Sequence, residues 1–438
     1  MKRLIEKDLL QWKQKVNKKP LIIQGARQVG KTTTVKNFGN DHYKNFVEIN
    51  FERQLEFVEL FNHTRNPKDL LDYFQLTFLD VEFNQDTLLL LDEIQACPSA
   101  LTALKFLGEQ FHCDIIATGS LLGIAIEKTS SYPVGYVETM QMNPMNFIEF
   151  IMALGIPDRI IEEIKVCVNE IRPIPAAIHD KMNELFKSYI IVGGMPEVVL
   201  EYVNHKSYRN TLLKQRQLVN DYANDIAKYA SSSDKIKAKE CFDSIPLQLA
   251  KENKKFQYKL LKKGGNARIY ESSLQWLESA GTICKVNRLN TIAQPLEDYK
   301  DNPVFKIYYL DTGLLMSNFN ENFLKELIQG NGDLVYKGAV YENIAAQILC
   351  AHHKKMYYFE PNTTTEIDFV INYKGNIVPL EIKSGDNTRS KSLNSFVEKY
   401  QSKIAYRFST KNISKKENIY YYPLYTLDFV LSEEPSIL

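Results

Sequence analysis

Residues 25–32 read Gly-Ala-Arg-Gln-Val-Gly-Lys-Thr, the pattern G-x-x-x-x-G-K-T, and they directly follow the apolar run Pro20–Gln24. Glycines at this spacing let main-chain N–H groups curl around an anion, the lysine reaches terminal phosphates, and the threonine hydroxyl holds Mg²⁺. A helix beginning near Lys31 adds its positive N-terminal end. The segment therefore predicts a phosphate-binding loop between a buried strand and a helix. The predicted nucleotide-binding residues are Gly25, Ala26, Arg27, Gln28, Val29, Gly30, Lys31, Thr32 and Thr33.

A second segment, Leu88–Glu93, is an apolar run that ends in two carboxylates. Such a run is typical of a strand buried on both faces of a parallel sheet, and the carboxyl ends of these strands are where ligands bind. Asp92 is expected to hold Mg²⁺ together with Thr32, and Glu93 to polarise the attacking water as a general base. The two segments together predict ATP binding and Mg²⁺-dependent hydrolysis.

A third apolar run, Cys113–Thr118, leads into Gly119-Ser120. A hydroxyl at the tip of this strand is placed to contact the γ-phosphate or the attacking water. Thr118 and Ser120 both qualify as catalytic residues, and the sequence leaves the choice between them open.

The composition is that of an ordinary soluble protein with several domains: 438 residues, 44% hydrophobic and 24% charged. Because the formal net charge is +1, any nucleic-acid surface has to be a local patch. The six cysteines are scattered without metal-ligand spacing, which predicts reduced thiols. No apolar stretch approaches the length of a membrane span. We expect a cytoplasmic protein with no membrane partner, and the oligomeric state stays open.

The chain is predicted to contain four α/β and helical parts. Strand candidates at 20–24, 46–51, 88–92 and 113–118 alternate with helical stretches, which indicates a doubly wound α/β domain. The predicted parts are a P-loop ATPase domain (1–155), a helical connector (156–235), a winged-helix-like module (236–295) and a C-terminal α/β domain (300–438).

The third part combines two helical stretches with a following hairpin, the order of a winged helix. Basic residues cluster before its second helix: Lys251, Lys254, Lys255, Lys259, Lys262, Lys263 and Arg268. One interpretation is a DNA- or RNA-facing patch. The other is a solvated loop in a packing module that binds no nucleic acid.

The C-terminal part carries an alternating hairpin, Glu366–Ile371 and Ile377–Lys383, around the turn Lys374-Gly375-Asn376. Period-two spacing places Asp368 on one strand face and Glu381 with Lys383 on a face of the next. These acids, with Glu342 from a helical stretch, could hold a second divalent metal while Lys383 positions a water. The alternative is a solvated sheet face.

These motifs together resemble those of prokaryotic AAA-type P-loop ATPases fused to a C-terminal domain of unknown function with a restriction-endonuclease-like, PD-(D/E)XK fold. The resemblance rests on nearly the whole chain: Gly25–Thr32, Asp92-Glu93-Ile94-Gln95, Thr118-Gly119-Ser120, Pro144–Phe150, Gly193–Glu197, Asp311–Leu315, Glu366-Ile367-Asp368 and Glu381-Ile382-Lys383. It implies ATP hydrolysis through Asp92 and Glu93, and a nuclease-like fold around Asp368, Glu381 and Lys383.

One position departs from the family pattern. Many relatives have a basic residue after the glycine of the Pro133-Val134-Gly135 segment, where it could serve a neighbouring subunit as an arginine finger, whereas this chain has Tyr136. Arg27 is typical of the group and is expected to order the loop. Two functions follow: an ATPase that controls a nuclease-like or nucleic-acid-binding module, or a nucleotide-gated scaffold that binds a protein partner without cleavage.

Overall fold

The computed structural model describes residues 1–120, 133–229, 234–329, 336–362, 365–385 and 391–432. The chain is an α/β protein that divides into two compact units. The first unit is Met1–Asn143 with Ser279–Gly281, and the second is Pro144–Glu278 with Thr282–Leu438. No helix in the described ranges is long and apolar enough to cross a membrane.

The described part of the first unit contains a parallel sheet with the strand order β2-β3-β4-β1-β5. The strands are β1 Leu21–Gln24, β2 Asn45–Asn50, β3 Thr87–Asp92, β4 Asp114–Gly119 and β5 Glu138–Gln141. The first four confirm the predicted strands to within one residue at each end. Strand β5 was not predicted, because this edge strand has four residues, none of them fully buried, and no apolar run.

Helices cover the central strands β3 and β4, whose residues are all buried. The helices of this unit are Ile5–Gln14, Lys31–His42, Leu55–His63, Pro67–Thr77 and Pro98–Gln110. Leu89 and Leu91 of β3 pack in one apolar cluster with Phe57, Phe61 and Leu104. Burial of such side chains stabilises the fold by about 1.5–3 kcal/mol each, and this packing fixes the strand ends that carry the polar residues.

The described part of the second unit contains a mixed sheet with the order β12-β13-β11-β10-β9-β8-β6-β7. The strands are β6 Ile283–Leu289, β7 Lys300–Tyr309, β8 Tyr357–Asn362, β9 Thr365–Tyr373, β10 Asn376–Ile382, β11 Ala405–Ser409, β12 Ser414–Lys416 and β13 Ile419–Pro423. The helices are Phe147–Ala153, Asp158–Glu170, Ala176–Val192, Pro196–His205, Tyr208–Tyr229, Lys235–Leu249, Ala267–Ser279, Thr312–Met316, Glu321–Gln329, Lys337–Ala351, Lys391–Tyr400 and Leu427–Leu431.

Strands β9 and β10 form the hairpin expected from the alternating pattern. They pair antiparallel, with Leu380 opposite Phe369, and the turn contains Lys374 and Gly375, both at positive φ. The hairpin β6-β7 follows two helices in the order of a winged helix, but β6 also pairs parallel with β8. That hairpin is therefore part of the larger sheet, and the winged-helix assignment stays a prediction.

A buried contact within the second unit joins two of the sequence motifs, Gly193–Glu197 and Asp311–Leu315. The main-chain N–H of Gly194 donates to Asp311 Oδ2 at 2.5 Å. A Cβ on Gly193 would lie 2.3 Å from Asp311 Oδ1, and one on Gly194 would lie 2.1 Å from the carbonyl oxygen of Met145. Burial raises the pKa of Asp311 to about 6, although N–H groups of Gly194 and Gly313 lower it. The two glycines are thus required by close backbone approach.

Candidate functional site

The predicted phosphate loop lies between β1 and the helix Lys31–His42. Gly25 sits against a neighbouring segment, because a Cβ there would lie 2.1 Å from the carbonyl oxygen of Met142. Met142 is held in place by its own N–H, which donates to the carbonyl of Gln24 at 2.8 Å. Gly30 precedes the helix in the left-handed region, with φ of 95°. Both glycines are therefore needed for the loop conformation.

The Lys31 side chain is buried beneath this loop. Its ammonium donates to the carbonyl oxygens of Gly25 at 2.9 Å and Ala26 at 2.8 Å. Burial lowers the pKa of Lys31 to about 8, although the carboxylates of Glu93 and Asp92 act in the opposite direction. The ammonium is thus held at the loop by neutral acceptors that a phosphate can replace.

Asp92 accepts three side-chain hydrogen bonds at the end of β3. Thr32 Oγ1 donates to Oδ1 at 2.8 Å, Thr118 Oγ1 donates to the same oxygen at 2.5 Å, and Asn50 Nδ2 donates to Oδ2 at 2.8 Å. The structure therefore brings Thr32, Asp92 and Thr118 together. Asn50 was missed by the sequence reasoning, although it ends β2 in direct register with Asp92 and so shares that sheet edge.

The two hydroxyls at the tip of β4 have different surroundings. Thr118 is bonded to Asp92, whereas Ser120 Oγ is buried and has no hydrogen-bond partner within the described ranges. A buried hydroxyl without a partner is costly, so it indicates a place where a ligand or water completes the bond.

Glu93 follows Asp92 and adopts a left-handed backbone conformation with φ of 53° and ψ of 44°. Its Oε2 accepts a hydrogen bond from Gln95 Nε2 at 2.5 Å. Because its charge raises the pKa of Lys31, the Glu93 carboxylate acts on the phosphate loop.

The remaining loop residues have less specific surroundings. Arg27 is half-buried, and its charge acts to lower the pKa of Lys31. Gln28 has a positive φ of 63°, and Thr33 is exposed in the first turn of the helix. At the position where relatives have a basic residue, Tyr136 has its ring 4.3 Å below the ammonium of Lys105.

Arg3 is a further residue of the site that sequence reasoning missed. Its Nη1 donates to the carbonyl of Val29 in the phosphate loop, and its Nη2 donates to the carbonyl of Asn143, both at 2.7 Å. Arg3 is buried, so these charge-assisted bonds are shielded from water. No local pattern near Arg3 indicates this long-range role.

The acidic residues around the predicted second metal site lie close to basic and hydroxyl groups of the same chain. Glu342 Oε1 accepts from Lys254 Nζ at 2.6 Å, and Glu342 Oε2 accepts from Tyr308 Oη at 2.9 Å. Lys306 is fully buried and lies 3.5 Å from Glu342 Oε2 and 2.5 Å from Glu366 Oε1. Burial acts to raise the pKa of Glu342, but Lys306 and Lys254 outweigh burial and lower it.

The three residues of the predicted nuclease motif lie on and just after β9 and β10. Asp368 Oδ2 accepts the N–H of Ile382 at 2.7 Å. Glu381 lies 3.3 Å from Lys383 Nζ and 3.5 Å from Arg407 Nε. Burial and the charge of Glu342 raise the pKa of Asp368. We call Glu342, Glu366, Asp368 and Glu381, with Lys254, Lys306, Lys383 and Arg407, the charged cluster.

This arrangement does not support the predicted second metal site. Among the residues that the structure describes, no group of three or more histidine, cysteine, aspartate or glutamate side chains is placed to hold a metal ion. Within the charged cluster, cationic side chains contact Glu342 and Glu381, whereas Asp368 accepts a main-chain N–H. Two lysines of the basic run are also engaged inside the unit, Lys254 with Glu342 and Lys255 with Glu360.

Comparison with known proteins identifies three regions. Residues 17–151 match the family model of an AAA domain, residues 183–322 match a domain of unknown function (DUF8612), and residues 337–427 match another (DUF4143). The first unit thus contains an AAA-type P-loop ATPase domain. No curated protein matches the sequence.

Two solved archaeal structures resemble the chain remotely. The Walker-type ATPase PABY2304 of Pyrococcus abyssi is 15% identical, with a TM-score of 0.44, and the match covers 74% of this chain and 95% of that one. Cdc6p of Pyrobaculum aerophilum is 13% identical, with a TM-score of 0.25, over 74% of this chain and 92% of that one.

Proposed function

We propose that the protein binds ATP with Mg²⁺ and hydrolyses it at the phosphate loop of the first unit. The observation that carries the proposal is the direct hydrogen bond between Thr32 and Asp92, which places the two predicted Mg²⁺ ligands 2.8 Å apart beside Lys31. The AAA-domain match over residues 17–151 supports the same conclusion.

Each residue has a distinct part in the reaction. Lys31 exchanges its loop carbonyls for phosphate oxygens, and main-chain N–H groups of residues 25–33 surround the phosphates. Thr32 and Asp92 would hold Mg²⁺, which would neutralise the charge that develops on the phosphates. Glu93 accepts a proton from the attacking water. We assign contact with the γ-phosphate or the water to Ser120, because Thr118 is bonded to Asp92.

Steady-state hydrolysis and nucleotide binding by the full chain test this function. Lys31→Ala is expected to weaken binding of a fluorescent ADP analogue. Glu93→Gln should keep that binding and lower turnover about 100-fold or more, because it removes a base and no phosphate contact. Glu93→Gln with wild-type turnover would show that Glu93 is not the base.

For the second unit we propose a restriction-endonuclease-like fold that responds to the nucleotide state and binds a partner without cleaving it. The described elements from the helix Lys337–Ala351 through β11 follow the order helix, three strands, helix, strand, with β10 and β11 parallel. The charged cluster favours binding over cleavage, because each of its carboxylates already has a partner within the chain.

Nucleic-acid assays on the full chain separate the two functions of this unit. Labelled single- and double-stranded DNA and RNA would be incubated with Mn²⁺ and either ADP or a slowly hydrolysed ATP analogue. We expect no cleavage product, and any binding should differ between the two nucleotides. Cleavage that is lost in both Asp368→Ala and Lys383→Ala would establish a nuclease and contradict the scaffold function.

A further inference from the structure

We propose that Gln95 is a catalytic residue of the hydrolysis reaction, whose side-chain nitrogen holds the Glu93 carboxylate while its side-chain oxygen holds the attacking water. This inference rests on the function proposed above, in which Glu93 accepts a proton from that water. It adds a protein contact to the water and gives a role to the glutamine two positions after Glu93.

The first observation is that Gln95 and Glu93 form a fixed pair. Gln95 Nε2 donates to Glu93 Oε2 at 2.5 Å. Glu93 has a left-handed backbone, and residues Ile94–Ala96 form a 3₁₀ turn directly after it. Ile94, between the two, is fully buried in the apolar core of the unit. The tight turn and this hydrogen bond therefore hold the two side chains against each other.

The second observation concerns the other end of the Gln95 amide. Its nitrogen has to face the Glu93 carboxylate, since a carbonyl oxygen there would be repelled, and this fixes the position of Oε1. That oxygen is buried and has no hydrogen-bond donor within the described ranges. An unsatisfied buried acceptor costs about 1–3 kcal/mol, so it indicates a partner that arrives with the substrate.

The third observation concerns the surroundings of the Glu93–Gln95 pair. The carboxylates of Glu93 and Asp92 both act on the Lys31 ammonium, so the Glu93–Gln95 pair lies near the phosphate loop. The 3₁₀ turn also packs against β4, which carries Thr118 and leads to Ser120. A water there would find two acceptors, a Glu93 oxygen and Gln95 Oε1, one for each of its protons.

These two acceptors account for both protons of the attacking water. The water oxygen forms a bond to the γ-phosphorus, and the bond from that phosphorus to the bridging oxygen breaks, with its electron pair leaving on ADP. Glu93 takes one proton and passes it to solvent. The other proton is hydrogen-bonded to Gln95 Oε1 during the attack and stays on the inorganic phosphate. Gln95 thus changes no charge and acts by directing the lone pair of the water at phosphorus.

The test uses the full chain and the variants Gln95→Met, Gln95→Asn and Ala96→Ser. Gln95→Met keeps the length of the side chain and removes both polar groups, while Gln95→Asn withdraws the amide by one methylene. Both should lower kcat about 100-fold and leave the Kd for a fluorescent ADP analogue with Mg²⁺ within about twofold. Ala96→Ser, an exposed change in the same turn, should hydrolyse ATP at the wild-type rate.

One further readout separates catalysis from structure. The double variant Glu93→Gln with Gln95→Met should be no slower than the slower single variant, because the two residues act on one water.

Several outcomes would overturn the role of Gln95. One is turnover by Gln95→Met within threefold of wild type while Glu93→Gln is inactive. That result would exclude Gln95 and leave the proposed function unaffected. Another is a loss of nucleotide binding or a lowered Tm in both Gln95 variants, which would make the residue structural. Wild-type turnover by Glu93→Gln overturns the base itself and is distinguishable from both.

Discussion

The guanidinium of Arg3 donates a hydrogen bond to the carbonyl oxygen of Val29 at 2.7 Å, across 26 positions of sequence. Since Val29 belongs to the phosphate loop, Arg3 anchors the main chain of that loop. A charge-assisted hydrogen bond of this kind contributes about 1.5–3 kcal/mol.

We expect Arg3→Met to weaken nucleotide binding about tenfold, because the Val29 segment loses its anchor while Lys31 and Asp92 stay in place. Titration with a fluorescent ADP analogue measures the effect. Lys2→Met is the matched control, since Lys2 is exposed and one position away. Equal affinities for the two variants would contradict a role for Arg3 in shaping the loop.

Asn50 gives a second prediction, on the Mg²⁺ requirement. Its amide holds Asp92 Oδ2, so Asn50→Ala removes the hydrogen bond that orients this oxygen, while Oδ1 keeps its two hydroxyl donors. Loss of such an outer partner typically lowers metal affinity 10- to 100-fold. The Mg²⁺ concentration for half-maximal hydrolysis should rise about tenfold at saturating ATP.

Asn45→Ala is the control for Asn50. Asn45 begins the same strand and its amide donates to Thr87, at the opposite end of β2 and β3 from Asp92. It should leave the Mg²⁺ dependence unchanged. If both variants shift the Mg²⁺ midpoint alike, the effect belongs to the stability of β2 and not to the orientation of Asp92.

The buried Lys306 gives a prediction on stability. Removing one partner of a buried ion pair leaves an uncompensated charge and costs about 3–5 kcal/mol, so Lys306→Met should destabilise the second unit by that amount. Trp12 and Trp276 are the two tryptophans of the chain. In a Trp12→Phe background, Trp276 fluorescence during urea unfolding reports the second unit.

Lys300→Met is the matched control on the same strand, because Lys300 pairs with Glu297 near the surface, with its side chain 32% exposed. Such pairs contribute about 0–1 kcal/mol. A loss for Lys306→Met no larger than that for Lys300→Met would show that Glu342 and Glu366 obtain their neutralisation elsewhere.

The pH dependence of the second unit follows from Asp311. Burial raises its pKa from the ordinary value of 3.8 to about 6, so the folded state binds the proton more tightly than the unfolded state. This contribution is complete below pH 3.8 and is lost as the pH rises through 6, a difference of about 3 kcal/mol.

Urea unfolding followed at Trp276 measures the stability of the second unit between pH 5 and 7, where the Asp311 contribution should decline by about 1.3 kcal/mol. Burial lowers the pKa of His179 and His353, so these two residues act in the opposite direction in both wild type and variant. Asp311→Asn should make that decline shallower, and Asp368, whose pKa is also raised, accounts for part of what remains. Measurements above pH 5 exclude a contribution from Glu342, because its pKa is lowered and its carboxyl is already ionised there. An unchanged slope in Asp311→Asn would contradict a raised pKa for Asp311.

The sequence predicted the structural elements that depend on residues close together along the chain. The loop Gly25–Thr32, the strand ending at Asp92 and the β9-β10 hairpin follow from spacing and alternation within a few residues. The partners of these residues do not, because Arg3 reaches Asn143 across 140 positions and Lys254 reaches Glu342 across 88. Sequence reasoning placed Lys383 beside the carboxylates of the charged cluster, as the structure has it for Glu381, but it missed Lys254, Lys306 and Arg407 for this reason.

The pairing of β6 with both β7 and β8 bears on how this protein can be divided for expression. A fragment that starts at residue 300 keeps β7 and β8 but lacks β6, the strand between them. Strand β8 would then present an unpaired edge, which is a template for aggregation. Lys306, carried by β7, would lose the strand that ties it to the sheet. A failed assay on such a fragment would report a broken sheet and say nothing about the chemistry of the intact chain.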